Sequence, residues 1–127
     1  LHLLLAEDNE LNSEIATTLL EEQGASITAV ENGRLALEAI QNAAPHTYDA
    51  ILMDVMMPEM NGLEATRCIR AFEGKGPGEG TPIIAMTANV FADDVKACLD
   101  AGMNSHVGKP LDMKVLIGEI LKYADAR

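Results

Sequence analysis

The chain has 127 residues, about the size of one domain that can bury a full core without covalent staples. Twenty acidic against nine basic side chains give a formal net charge of −11, which repels a phosphate backbone and an anionic membrane surface and so argues against direct contact with nucleic acid or membrane. No apolar run approaches the roughly eighteen residues of a membrane span, no basic-then-apolar leader opens the chain, and Cys68 and Cys98 lack Cys-x-x-Cys spacing, a usage that suits buried free thiols in a reducing cytoplasm.

In chain order, the first apolar run is His2 to Ala6, HLLLA, which starts without an initiator methionine or any lead-in, so a piece of a longer polypeptide is expected. It ends in Glu7 and Asp8, and Asp8 or Asn9 is suited to cap the helix that follows. Leu11, Ile15 and Leu19 mark that helix with an i, i+4, i+8 stripe, and Gly24 stops it. The second run is Ser26 to Val30, SITAV, and the third is Asp49 to Met53, DAILM, which delivers Asp54 to a turn containing Pro58. After a third helix stopped by Gly74, EGKGPGEG at Glu73 to Gly80 reads as a mobile loop without chemistry, because no Gly-Lys-Ser/Thr follows a strand. The fourth run, Pro82 to Met86, leads to Thr87. Phe91, Val95 and Leu99 mark the next helix, Gly102 stops it, and Ser105 to Val107 leads through Gly108 into Lys109 and Pro110. Leu116, Ile117, Ile120 and Leu121 give the last helix its apolar face. Five nearly continuous apolar strands alternating with five helices predict a doubly wound α/β fold, a parallel sheet covered on both faces.

In such sheets ligands bind beyond the carboxyl ends of the strands, where the strand order reverses. Those ends carry Glu7, Asp8, Asp54, Thr87 and Lys109. Each has an ordinary reading alone: a cap at Asp8 or Thr87, a turn at Asp54, a solvated charge at Lys109. Together they gather three carboxylates, and two carboxylates about 4 Å apart repel by roughly 1 to 4 kcal/mol as the effective dielectric falls from about 80 to about 20. A hard divalent cation relieves this, and Mg²⁺ favours one or two carboxylates, waters and phosphate oxygens. The set suits Mg²⁺ and a phosphoryl group, with Lys109 as a second positive charge and Thr87 as a hydroxyl donor.

EDN at Glu7 to Asn9, MDVMMPEMNG at Met53 to Gly62, PIIAMTAN at Pro82 to Asn89 and GKP at Gly108 to Pro110 together resemble the receiver domain of two-component response regulators. EDNELN, PEMNGLEATRCIR and AGMN are closest in look to receivers of hybrid sensor histidine kinases. The resemblance implies one receiver domain over residues 1–127, with a flavodoxin-like sheet of strand order 2-1-3-4-5. It implies that Asp54 accepts a phosphoryl group from a phosphohistidine, with Glu7, Asp8, Asp54 and the backbone carbonyl of Met56 holding Mg²⁺. Lys109 matches the lysine that pairs with the phosphoryl group, Thr87 the switch hydroxyl, and Pro110 the proline after a cis bond. Partners so implied are a histidine kinase or a histidine phosphotransfer domain. The domain would catalyse its own phosphorylation and dephosphorylation in the cytoplasm, whether or not the parent chain is membrane-anchored. Met56 and Met57 side chains are expected to pack in the loop.

One position departs from the pattern. Three residues before the lysine the family usually has a coupling aromatic, and here stands His106, which puts the usual threonine-to-aromatic switch in doubt. His2 and His46 are far from it in sequence, so no histidine metal cluster is expected. Among other functions, a haloacid dehalogenase-like phosphatase needs a second Asp two residues after the nucleophile, where this chain has Met56. A flavin module needs a Ser/Thr-rich loop after the first strand, and a pseudo-receiver would lack the acceptor or the lysine. A stand-alone response regulator that switches a protein partner is the alternative to a phosphorelay module.

Overall fold

The computed structural model describes residues 1–57, 60–88, 92–109 and 111–124. Strands β1 (His2–Ala6), β2 (Ser26–Val30), β3 (Ala50–Asp54), β4 (Ile83–Thr87) and β5 (Ser105–Gly108) alternate with helices α1 (Glu10–Glu22), α2 (Gly33–Asn42), α3 (Gly62–Glu73), α4 (Ala92–Ala101) and α5 (Met113–Ala124). All strand pairs are parallel, in the order β2-β1-β3-β4-β5. The doubly wound arrangement and its strand order are therefore as expected. β3 and β4 sit one residue further along than their apolar runs, because the ladder carries on through Asp54, opposite Met86, and Thr87, opposite Gly108.

Successive strand residues point to opposite faces, and this period divides the core in two. Leu4, Ala6, Ile51, Met53, Ile83 and Ala85 pack under Ala36, Ile40, Ala65 and Ile69 of α2 and α3 and Cys98 of α4. Leu3, Leu5, Leu52, Ile84, Met86 and Val107 pack under Ala16 and Leu20 of α1 and Leu116 and Ile120 of α5. Cys98 is buried and Cys68 half-buried, both as free thiols. Gly24, Gly74 and Gly102 all adopt the left-handed backbone that stops a helix, with φ of 92°, 66° and 109°. Among the described residues no helix is long and apolar enough to cross a membrane.

Two features could not be read from the sequence pattern. The Leu11, Ile15 and Leu19 stripe does not face the sheet: these residues are 64%, 49% and 36% exposed. The small Ala16 lets α1 approach the strands and, with Leu20, takes the buried side instead. In α4 the sheet likewise takes Cys98, leaving Leu99 exposed and Val95 half-buried, while Phe91 lies outside the described residues. The glycine-rich loop is also more than a tether. Buried Arg70 donates to the carbonyls of Gly102 (2.9 Å) and Thr81 (2.8 Å), to Asn104 Oδ1 (2.9 Å) and to Glu73 Oε1 (3.0 Å). Asn104 Nδ2 reaches the Pro77 carbonyl at 2.7 Å, so the loop is fastened to the turn before β5.

Candidate functional site

The strand order reverses between β1 and β3, since the chain leaves β1 for β2 on one side and continues from β3 to β4 and β5 on the other. Ala6 is level with Met53, so the next residues, Glu7 and Asp54, come side by side at the carboxyl end of the sheet. Lys109 follows the end of β5 and is anchored by its own N–H, which donates to the Thr87 carbonyl at 2.9 Å. Its ammonium donates to Asp54 Oδ2 at 2.9 Å and stands 3.6 Å from Glu7 Oε1. The reading of Lys109 as a solvated charge therefore falls.

Glu7 and Asp54 are buried and Asp8 is exposed, with one oxygen from each lying within 4.8 Å of the others. The cap of α1 is Asn9, whose Oδ1 accepts the Asn12 N–H at 2.9 Å. That leaves the Asp8 carboxylate uncommitted to capping. Thr87, also buried, ends β4 one step beyond Asp54's neighbour Met86. The Met56 N–H donates to Asp54 Oδ1 at 3.2 Å. Its side chain is 76% exposed, so only Met57 packs against the core as expected of both methionines. His106 lies half-buried in β5 opposite Ala85, and Pro110 lies outside the described residues.

The electrostatics are those of a site short of positive charge. Burial pushes the Glu7 carboxyl up to about 7, the Asp54 carboxylate adds to that, and Lys109 and the Asn12 side chain pull the other way. For Lys109, burial pulls the ammonium down, but Asp54 and Glu7 outweigh it and hold the group above its usual range. Glu7 Oε2 is the buried side-chain polar atom left without a hydrogen-bond partner among the described residues. An orphaned carboxylate oxygen beside two further carboxylates is the donor set that a hard, oxygen-seeking cation fits. Asn12 escaped the sequence reading, since nothing in its spacing distinguishes it from any polar residue in a helix's first turn.

A doubly wound sheet with an acidic, lysine-paired site at its switch point defines a class of phosphoryl-handling α/β domains. The response regulator receiver domain matches residues 3–121, and the chain belongs to that family. It is 40% identical over 140 residues to probable histidine kinase 1 of Oryza sativa subsp. indica, covering 88% of this chain and 14% of that protein. It is 39% identical over 120 residues to the sensor protein GacS of Pseudomonas syringae pv. syringae, covering 94% of this chain and 13% of that one. Among solved structures it resembles the receiver domain of a Pseudomonas aeruginosa sensor histidine kinase with a magnesium ion coordinated in the active site cleft. That likeness has a TM-score of 0.84 at 36% identity, over 98% of this chain and 97% of that one. The receiver domain of Saccharomyces cerevisiae Ssk1, solved with the histidine phosphotransfer protein Ypd1, gives a TM-score of 0.87 at 26% identity, over 98% and 89%.

Proposed function

We propose that this domain accepts a phosphoryl group from a phosphohistidine onto Asp54 in a Mg²⁺-dependent phosphorelay, and later passes it to a histidine phosphotransfer partner or loses it to water. The observation that carries the reading is the Lys109 ammonium 2.9 Å from Asp54 Oδ2, beside a buried carboxylate oxygen without a hydrogen-bond partner among the described residues. Glu7, Asp8 and Asp54, with the Met56 carbonyl, would hold Mg²⁺, which when bound supplies positive charge toward the phosphoryl oxygens. In transfer an Asp54 carboxylate oxygen forms the new bond to phosphorus while the bond from phosphorus to the histidine nitrogen breaks, and the imidazole keeps that electron pair. Lys109 stabilises the charge spreading over the phosphoryl oxygens, and the Met56 N–H fixes the rotation of the attacking carboxylate. Thr87 is assigned the hydroxyl that donates to a phosphoryl oxygen.

The exposed face of α1 supports the choice of donor. Leu11, Ile15 and Leu19 form an apolar strip, and Ile15 and Leu19 border a groove of about 480 Å³ whose lining includes Glu7 and Lys109. Glu10, Glu14, Glu21 and Glu22 lie on the same helix, so an apolar helix face edged with Lys and Arg is the matching surface. The relatives support a hybrid sensor histidine kinase as the parent protein, and this chain spans only 13–14% of the two named above.

Incubation with acetyl phosphate and Mg²⁺ should add one phosphoryl mass that hydroxylamine removes. A mass gain that persists in Asp54→Asn overturns the assignment of the acceptor. Ile15→Glu should slow transfer from a phosphohistidine protein while leaving acetyl phosphate unaffected; equal slowing with both donors would remove α1 from the docking surface.

A further inference from the structure

The geometry points to Gly33 as a positioning residue for phosphoryl acceptance, although it lies on a different helix and touches neither the metal site nor Asp54. The inference rests on the function proposed above. Gly33 opens α2, and its N–H donates to the Met60 carbonyl at 3.0 Å. A Cβ built on Gly33 would lie 2.4 Å from that carbonyl oxygen, 2.8 Å from Ala65 Cβ and 3.1 Å from the Asn61 carbonyl oxygen. Only a residue without a side chain lets the start of α2 lie flat on this stretch. The buried Asn32 fixes the approach by capping α2, its Oδ1 accepting the Leu35 N–H at 2.9 Å.

What Gly33 presses on is the return limb of the segment that joins β3 to α3. Two residues beyond Met60, the Gly62 N–H donates to the Val55 carbonyl at 3.0 Å, and the Val55 N–H donates to the Met86 carbonyl at 3.2 Å. A Cβ on Gly62 would stand 2.4 Å from the Asp54 carbonyl oxygen, so that contact too has no slack. Met60 is thus tied to Val55, and Val55 is the immediate neighbour of Met56, whose N–H holds Asp54 Oδ1 at 3.2 Å. A methyl group at position 33 requires the Met60 carbonyl and the start of α2 to move apart by several tenths of an ångström or more. Part of that displacement is carried through Met60 to Gly62 and its bond to the Val55 carbonyl, and so to the neighbouring Met56 amide that sets the Asp54 carboxylate. Misplacing a reacting group by about 1 Å costs on the order of a hundredfold in rate, and a fraction of that shift is expected here.

The test compares Gly33→Ala with Gly118→Ala, a site on α5 where an added Cβ meets nothing within 4 Å. At saturating Mg²⁺ and well below the melting temperature, Gly33→Ala should accept the phosphoryl group from acetyl phosphate about tenfold more slowly than the parent, whereas Gly118→Ala should match it. The Met56 amide resonance of Gly33→Ala should also move in metal-free buffer. A lowered melting temperature with parental rate and an unmoved Met56 amide would make Gly33 purely structural and overturn the inference. Should Gly33→Ala fail to fold, the parent decides: beryllofluoride at Asp54 should shift the Gly33 amide, and an unmoved Gly33 amide overturns the inference equally. A parent that takes no phosphoryl group from acetyl phosphate overturns the receiver reading itself, a separate result.

Discussion

Charged groups are buried at both ends of this sheet, and they are treated in opposite ways. At the amino ends of β4 and β5, Arg70 spreads its guanidinium over two carbonyls, Asn104 and Glu73, while Thr81 donates its N–H (3.1 Å) and hydroxyl (2.7 Å) to the second Glu73 oxygen. At the carboxyl ends of β1 and β3, three carboxylates gather around a single ammonium that pairs with two of them, Glu7 and Asp54, and one buried oxygen of Glu7 has no hydrogen-bond partner among the described residues. A buried charge whose lone pairs and protons are all engaged holds a fold together, whereas one left short of partners holds a place for something that arrives. The first cluster should therefore govern stability alone, and the second should govern chemistry at some expense of stability.

The largest expected effect comes from breaking the satisfied end. Arg70→Met removes the cation from beside Glu73, whose side chain is only 13% exposed, and takes away the donor that the Gly102 and Thr81 carbonyls accept from, so urea unfolding should show a loss of about 3 to 5 kcal/mol. The fraction that remains folded should still accept a phosphoryl group at the parental rate. A change below about 1 kcal/mol would mean that the clasp contributes little.

The unsatisfied end should behave differently with pH. In metal-free protein burial raises the Glu7 pKa from its ordinary 4.5 to about 7, so the folded state holds this proton more tightly than the unfolded chain. That contribution is fully present below about 4.5 and is lost as the pH rises through about 7. It amounts to roughly 1 to 3 kcal/mol, the lower figure allowing for the water-accessible groove beside Glu7. Urea midpoints in EDTA should fall across this window in the parent and fall less in Glu7→Gln, so that the difference between the two isolates this group from the other carboxylates. Mg²⁺, which favours the charged form, should flatten the slope and bind more tightly as the pH approaches 7. Identical pH profiles for the parent and Glu7→Gln would remove burial strain from the account. Asp8→Asn, at an exposed position, should change stability by less than about 0.5 kcal/mol while weakening Mg²⁺ binding, measured by calorimetric titration.

How much of each end could be read from the sequence follows from the same contrast. The functional end was legible because its groups sit at fixed places, one step beyond apolar runs: Glu7 after HLLLA, Asp54 after DAILM, Lys109 after SHVG. The structural end was not, because only Arg70 and Glu73 share a helical i, i+3 spacing, while Thr81 and Asn104 come from a loop edge and a turn with no periodic relation to them. The glycine-rich stretch was read as mobile for its composition, yet a Cβ on Gly80 would come within 2.5 Å of both Arg70 and Glu73, so that glycine serves close packing. The α1 stripe shows a third limit of the sequence. Helical spacing reveals that apolar residues share a face, but whether that face meets the sheet or solvent depends on the neighbouring Ala16 and Leu20, and the alternation alone cannot rank a small buried residue above a large exposed one.

The smallest expected effect is at His106, where the two ends of the sheet are bridged by β5. In receivers with an aromatic at this place, the threonine hydroxyl moves toward the phosphoryl group and the ring follows into the space vacated. An imidazole is smaller than a phenol ring and prefers a polar partner, so it gains less from the inward move, and a switch is only as strong as the free-energy difference between its two states. The neighbouring residue adds a restraint: the Ser105 hydroxyl donates to Glu119 Oε2 at 2.8 Å, tying β5 to α5 beside the histidine. Phosphorylation is therefore expected to leave the face made by α4, β5 and α5 nearly unchanged, with the phosphoryl group itself as the chief output. Amide shifts on adding beryllofluoride should be large in the segment after Asp54, at the α2 start that touches it and around Thr87, and should stay small at His106 and Lys114. His106→Tyr should enlarge the response at Lys114. A wholesale rearrangement reaching His106 in the parent, or dimerisation through that face on phosphorylation, would show that the imidazole does the work of the aromatic ring.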